Sequence, residues 1–216
     1  SMVAWRRPFK IMLPIELIIF DMDGVLCDTD FARRLDILGQ MTSLDAKVVD
    51  DAIFQSGFDD QADRGLHTAE EYLRLFAGRL GVSLSREDWL RARGDAMTPD
   101  HAMLALVKQL QQKLPVAMLT NNGPLLQENF AAVFPEAAEL FGSWAFFSSQ
   151  FKATKEEPDI FYAILETLDG RAESTLFIDD SESYIASART AGLKTHHFKG
   201  IHGLENTLRQ FDLMQS

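Results

Sequence analysis

At 216 residues, 46% hydrophobic and 25% charged, the chain has the composition of a globular protein with a full core. Its formal net charge of -11 lacks the basic footprint that nucleic acids and anionic membrane surfaces attract, so neither is an expected partner. The lone cysteine, Cys27, cannot form an internal disulfide, which fits a reducing, cytoplasmic setting.

Residues 1–14 read as an N-terminal extension. Arg6-Arg7 faintly resembles a twin-arginine export signal, but Pro14 and Glu16 interrupt the apolar region such a signal needs. No apolar run approaches the roughly 18 residues of a membrane span. Leu17–Phe20 is an unbroken apolar run and predicts a strand buried on both faces. It stops at Asp21-Met22-Asp23-Gly24. Side chains two apart on an extended chain point the same way, so Asp21 and Asp23 converge at the strand's carboxyl end, where open α/β sheets bind ligands. Paired carboxylates repel unless a cation or a proton intervenes, which makes magnesium the first candidate. A calcium loop is excluded, because Leu26 and Ala32 stand where it requires glycine and glutamate. A simple capped turn stays open at this point, since Asp and Gly are ordinary turn residues.

From Phe31 to Met97 the pattern is helical only, with segments at Phe31–Leu38, Leu44–Phe54, Thr68–Leu80 and Arg86–Ala92, and Thr68 and Ser85 as N-caps. This predicts a small bundle inserted into a sheet domain. Thr98-Pro99-Asp100 is expected to open a helix with Pro99 in its first turn. Further strands are expected at Val116–Leu119, Ala145–Ser148, Leu176–Ile178 and Thr195–Phe198, with helices from Pro158 and over Ser181–Ala191 between them. Such alternation implies a parallel sheet with helices on both faces. The first of these further strands runs into Thr120-Asn121, and the third into Asp179-Asp180. A hydroxyl and two further carboxylates thus reach the same sheet edge as Asp21. Lys152 and Lys155, before the helix at Pro158, are the candidate ammonium groups for a bound phosphate.

With these residues in order, the chain resembles the haloacid dehalogenase-like superfamily of aspartyl phosphotransferases. Phe20-Asp21-Met22-Asp23-Gly24-Val25 matches its first signature and Leu119-Thr120-Asn121 its second. Lys155-Glu156-Glu157-Pro158-Asp159-Ile160-Phe161 matches the third, with Glu156 in place of the usual proline. Phe177-Ile178-Asp179-Asp180-Ser181 and Ala188–Gly192 match the fourth. Asp63–Glu71 is similar to the cap of sugar-phosphate phosphatases and of the phosphatase domain of epoxide hydrolases.

The resemblance implies a Rossmann-like, three-layer α/β core (residues 15–30 and 98–216) carrying an inserted α-helical cap (31–97). It implies a magnesium-dependent phosphatase that hydrolyses a small phosphorylated metabolite, such as a sugar phosphate. Asp21 would be the nucleophile, forming a phosphoaspartate, and Asp23 the general acid and base. Asp21, Asp180, Asp179 and the Asp23 carbonyl would serve the metal. Thr120, Lys155 and the amides of Met22 and Asn121 would hold the phosphoryl group. Arg64 and His67, in a tight polar bend of the cap, are the candidate specificity residues. A sugar phosphomutase shares the paired aspartates and is the alternative. A 2-haloacid dehalogenase is disfavoured by Asp23, and a non-catalytic binding protein by the competent residue at every motif position. The assembly is expected to be a monomer or homodimer.

Overall fold

The structure, a computed structural model, describes residues 12–216; Arg6 and Arg7 lie outside the described residues. Strand β1 (Leu17–Phe20) leads into a turn at Asp23–Gly24 and a short β2 (Cys27–Thr29). Helices α1 (Phe31–Thr42), α2 (Ala46–Val49), α3 (Phe58–Asp63), α4 (Ala69–Leu80) and α5 (Arg86–Asp95) follow, with a π-helical segment at Asp50–Gln55 continuing α2. The chain returns through β3 (Met97–Pro99) to α6 (His101–Gln111) and β4 (Val116–Thr120). Short helices α7 (Pro124–Glu128), α8 (Phe130–Val133) and α9 (Pro135–Phe141) lead to β5 (Ala145–Phe147) and α10 (Ser148–Phe151). The fold closes with α11 (Asp159–Leu168), β6 (Thr175–Asp179), α12 (Glu182–Thr190), β7 (Lys194–His197) and α13 (Ile201–Gln210).

Five strands form one parallel sheet in the order β5-β4-β1-β6-β7. β1 is central because its side chains, 0–5% exposed, satisfy a layer of helices on each face. Ile18 and Phe20 join Met118, Ile178, Val107 and Leu208 on one side. Leu17 and Ile19 join Leu119, Phe177, Phe161 and Ile185 on the other. Burying each such side chain stabilises the fold by about 1.5–3 kcal/mol. The architecture is therefore the α/β, Rossmann-like sandwich expected from the strand pattern.

Both anticipated caps form. Thr68 Oγ1 accepts from the Glu71 amide at 3.1 Å and Ser85 Oγ from the Asp88 amide at 3.1 Å, each completed by the reciprocal carboxylate contact. Such boxes contribute on the order of 1 kcal/mol each. The reading of Thr98–Pro99 as a helix start is corrected. Those residues pair antiparallel with β2, and Asp100 caps α6 instead, accepting from the Met103 amide at 3.0 Å. Proline is tolerated in this strand because it lies at the end of a two-stranded ribbon. The ribbon is the stem through which the helices of 31–95 leave and rejoin the sheet region. Their apolar faces, including Phe58, Tyr72, Phe76 and Trp89, merge with Leu125, Leu126 and Phe130 into the cluster below the sheet.

Cys27 is 2% exposed, and burial, with the Asp23 carboxylate nearby, pushes its thiol far up. In the native protein it should react with Ellman's reagent at pH 8 at least about 100-fold more slowly than in urea, because the thiolate is the reactive form. Equal rates would contradict this burial.

Candidate active site

The sheet register assembles the site. Phe20 lies level with Met118 on β4 and Ile178 on β6, so Asp21, Thr120 and Asp179 emerge together at one edge. Asp21 is 4% exposed and Asp179 fully buried. Lys155 reaches between them, its Nζ donating to Asp21 Oδ1 at 2.6 Å and Asp179 Oδ2 at 2.8 Å. Desolvation alone would lower the Lys155 ammonium's affinity for its proton, but the two carboxylates outweigh it and hold it charged. Burial, with Asp179 close by, pushes the Asp21 carboxyl well above its ordinary range in spite of Lys155. Asp180 sits more openly and is likewise raised, by burial and then by Asp179.

Oxygens of Asp21, Asp179 and Asp180 lie within 4.8 Å of one another. Fully ionised, the three carboxylates would leave two negative charges against the one ammonium, the complement of one divalent cation, and the raised Asp21 and Asp180 show how costly that state is without one. All the donors are hard oxygens, which suits magnesium better than softer metals. Gly24, at φ +86°, makes the site possible, because a Cβ there would collide with the Asp180 carboxylate.

Asp23 is bound differently. Its carboxylate accepts from Arg93 Nη2 (3.0 Å to both oxygens), Thr29 Oγ1 (2.5 Å) and Asn122 Nδ2 (3.2 Å). Burial raises its pKa, yet Arg93 and these hydrogen bonds together bring it below the ordinary value. Two neighbouring aspartates are thus driven in opposite directions, the pattern that separates acid and base roles. Arg93 is 3% exposed and comes from α5 in the insertion. Sequence reasoning missed both Arg93 and Asn122. Arg93 sits in the Arg91-Ala92-Arg93-Gly94-Asp95 run, which reads as a solvated helix face. Asn122 was within reach, as the polar residue two beyond Thr120.

Lys155 occupies the ammonium position. Lys152 stands three residues earlier, left-handed at φ 52° after α10, and is not part of this cluster. Glu156 does not compete for the ammonium: it accepts from Thr154 Oγ1 and from the Tyr184 hydroxyl at 3.2 Å. Asn121 Oδ1 accepts from the Lys155 amide at 3.0 Å, fixing the lysine loop to the end of β4. Thr120 is buried and its Oγ1 accepts from Asn122 Nδ2 at 2.7 Å, while Met22 is buried in the turn. Arg64 pairs with Asp60 (2.9 Å) and with Glu157 across the insertion–core seam. His67 lies against the Phe58 ring and Gln61 Oε1 (3.2 Å).

Residues 15–192 match the family model of haloacid dehalogenase-like hydrolases. The chain belongs to that family. A D-ribitol-5-phosphate phosphatase of Bacteroides thetaiotaomicron is similar at 24% identity, covering 84% of this chain and 90% of that protein. A phosphatase of Mycobacterium tuberculosis is similar at 28%, covering 85% and 87%. Among solved structures, the magnesium complex of a family enzyme from B. thetaiotaomicron superposes with a TM-score of 0.72. It is 25% identical and covers 87% of this chain and 94% of that one. In this haloacid dehalogenase-like hydrolase, Asp21, Asp23, Asp179, Asp180 and Lys155 lie together at the carboxyl edge of the sheet, where open α/β sheets bind ligands.

Proposed function

We propose that the enzyme is a magnesium-dependent phosphatase that hydrolyses a small phosphorylated metabolite through an aspartyl phosphate. The observation that carries this reading is the Lys155 ammonium seated between Asp21 and Asp179, beside Asp180 and Thr120. The phosphatase relatives and the magnesium-bound neighbour support it.

In this reading an Asp21 oxygen attacks phosphorus as the bond to the leaving alcohol oxygen breaks. Asp23 gives that oxygen a proton. It then takes one from the water that attacks the aspartyl phosphate, freeing Asp21 and inorganic phosphate. The ionised Asp23 favoured by Arg93 suits the second step. The first needs its proton, so Arg93 releases Asp23 before attack. Lys155, Thr120 and the amides of Met22 and Asn121 orient and neutralise the phosphoryl oxygens, most of the catalytic task in such a transfer. Asp21, Asp179, Asp180 and the Asp23 carbonyl would hold magnesium, which when bound offsets charge on those oxygens. The helices of 31–97 act as a cap that excludes bulk water.

A screen of phosphorylated metabolites, reading free phosphate, tests the proposal. Activity is expected with magnesium, should fall at least about 100-fold after chelation, and should return on adding the metal back. Excess calcium should inhibit, because it favours looser, higher coordination. Full activity in a metal-stripped sample would refute metal dependence. Isomerised phosphate esters without free phosphate would instead indicate a phosphomutase.

A further inference from the structure

The Lys155 ammonium is delivered by a connection with no helix or strand of its own. Between α10 and α11, residues 152–157 turn back on themselves, and the Thr154 carbonyl accepts from the Glu157 amide at 3.0 Å. Lys155 and Glu156 are the two residues at the bend. A single turn fixes a loop poorly, so side-chain contacts decide where Lys155 stands.

Glu156 gathers those contacts. Its carboxylate accepts from Thr154 Oγ1 within the loop and from the Tyr184 hydroxyl on α12 at 3.2 Å. Asn121 Nδ2, at the end of β4, faces it at 3.5 Å. Thr154 is fully buried, so an otherwise exposed glutamate is anchored to the interior. Partial burial works against its charge, yet the bonds from Thr154, its own amide and Tyr184 bring its pKa below the ordinary value.

Two of these contacts lead to Lys155. Asn121 turns its amide nitrogen to Glu156 and its oxygen to the Lys155 amide, at 3.0 Å. A carboxylate beside the nitrogen sets which way the Asn121 amide is turned, because a carboxylate can only accept. The Tyr184 ring centroid lies 4.9 Å from Lys155 Nζ, an attractive cation–π distance. The hydroxyl bond to Glu156 steadies that ring.

We infer that Glu156 is a positioning residue, which through Thr154, Asn121 and Tyr184 holds the Lys155 loop so that the ammonium stands at the phosphoryl site. The inference rests on the phosphatase reading above, in which Lys155 neutralises phosphoryl oxygens. Glu156 acts only through its neighbours, since its carboxylate bonds Thr154 and Tyr184 rather than the ammonium. Its charge matters less than its accepting oxygens. A shift of about 1 Å in a catalytic group can cost about 10²-fold in rate, so a loosened loop is felt at the chemistry.

The test compares the wild type with Glu156→Ala, Glu156→Gln and Tyr184→Phe, all with magnesium. Two quantities are read: kcat for p-nitrophenyl phosphate, and the Kd of inorganic phosphate by calorimetry. Glu156→Ala should lower kcat about tenfold and weaken phosphate binding by a similar factor. Its melting temperature should stay within a few degrees of the wild type, because the position is exposed. Glu156→Gln keeps an accepting oxygen and should stay within about threefold of the wild type in both readouts. Tyr184→Phe keeps the ring and removes one bond, so a smaller fall in both is expected, and it decides the matter if Glu156→Ala folds poorly. Wild-type values in Glu156→Ala, or a Glu156→Gln as damaged as Glu156→Ala, would overturn the positioning role while leaving the phosphatase standing. A wild type that neither hydrolyses the ester nor binds phosphate would overturn both.

Discussion

Asp21→Asn is expected to lower kcat by at least about 10³-fold, the order seen when a covalent nucleophile is removed. The amide cannot form an acyl phosphate. Its fold should survive, because burial already disfavours the ionised carboxylate and the amide oxygen can still accept from Lys155. The variant should therefore melt within a few degrees of the wild type. Substantial turnover in a folded sample shown by mass spectrometry not to have deamidated would sink the covalent mechanism.

The second large effect concerns stability as well as rate. Lys155 is 1% exposed and is the cation between two buried carboxylates. Lys155→Met removes one partner of a buried ion cluster, which typically costs about 3–5 kcal/mol, a large share of a total stability of about 5–15 kcal/mol. Phosphatase activity should be lost with it. The pH dependence has a definite sign. Asp21 already has a folded pKa above its unfolded value, and losing Lys155 raises it further. Such a group contributes stability when protonated and loses it as pH rises through the folded pKa. The deficit of the variant should thus be smaller near pH 5 than near pH 8. Added magnesium should recover part of it at pH 8, since a cation bound only by the folded state stabilises that state. Wild-type melting behaviour across this range would show that Lys155 does not neutralise the cluster.

The sheet and the residues at its carboxyl edge were legible because each is written locally. An apolar run marks a buried strand, and the polar residue just after it is carried to the strand's end by connectivity alone. Thus Leu17–Phe20 and Asp21, Val116–Leu119 and Thr120, and Leu176–Ile178 and Asp179 could be paired without structure. What escaped is decided by docking. Arg34 and Arg93 look like helix-surface charges until α1 and α5 are packed against other elements. α3 is only six residues long, too short to announce a periodicity. The β2–β3 ribbon has three residues per strand, and its pairing partner lies across the whole insertion. Pro99 shows how a sound local rule yields to a distant partner: proline before an aspartate and an apolar stripe suggests a helix start, but the residues facing it claim it for a strand.

The order of synthesis gives the sheet a further significance. β1 leaves the ribosome before its neighbours, yet the strands that pair with it and the helices that cover its side chains are made much later. Lys155 bonds to an Asp21 that is 134 residues away, and Asn122 to an Asp23 that is 99 away. Parallel pairing over such distances is slow, because loop closure precedes any gain from contact. The helices of 31–95, by contrast, find one another within the insertion itself, the farthest pair being α1 and α5. The nascent chain therefore carries an unpaired, wholly apolar Leu17–Phe20 segment until β4 and then β6 emerge. Chain truncated before Thr175 leaves that segment with one open edge, where aggregation competes with folding. The same central position that makes β1 a rigid mount for a side chain at its end makes it wait for most of the chain before both its edges are covered.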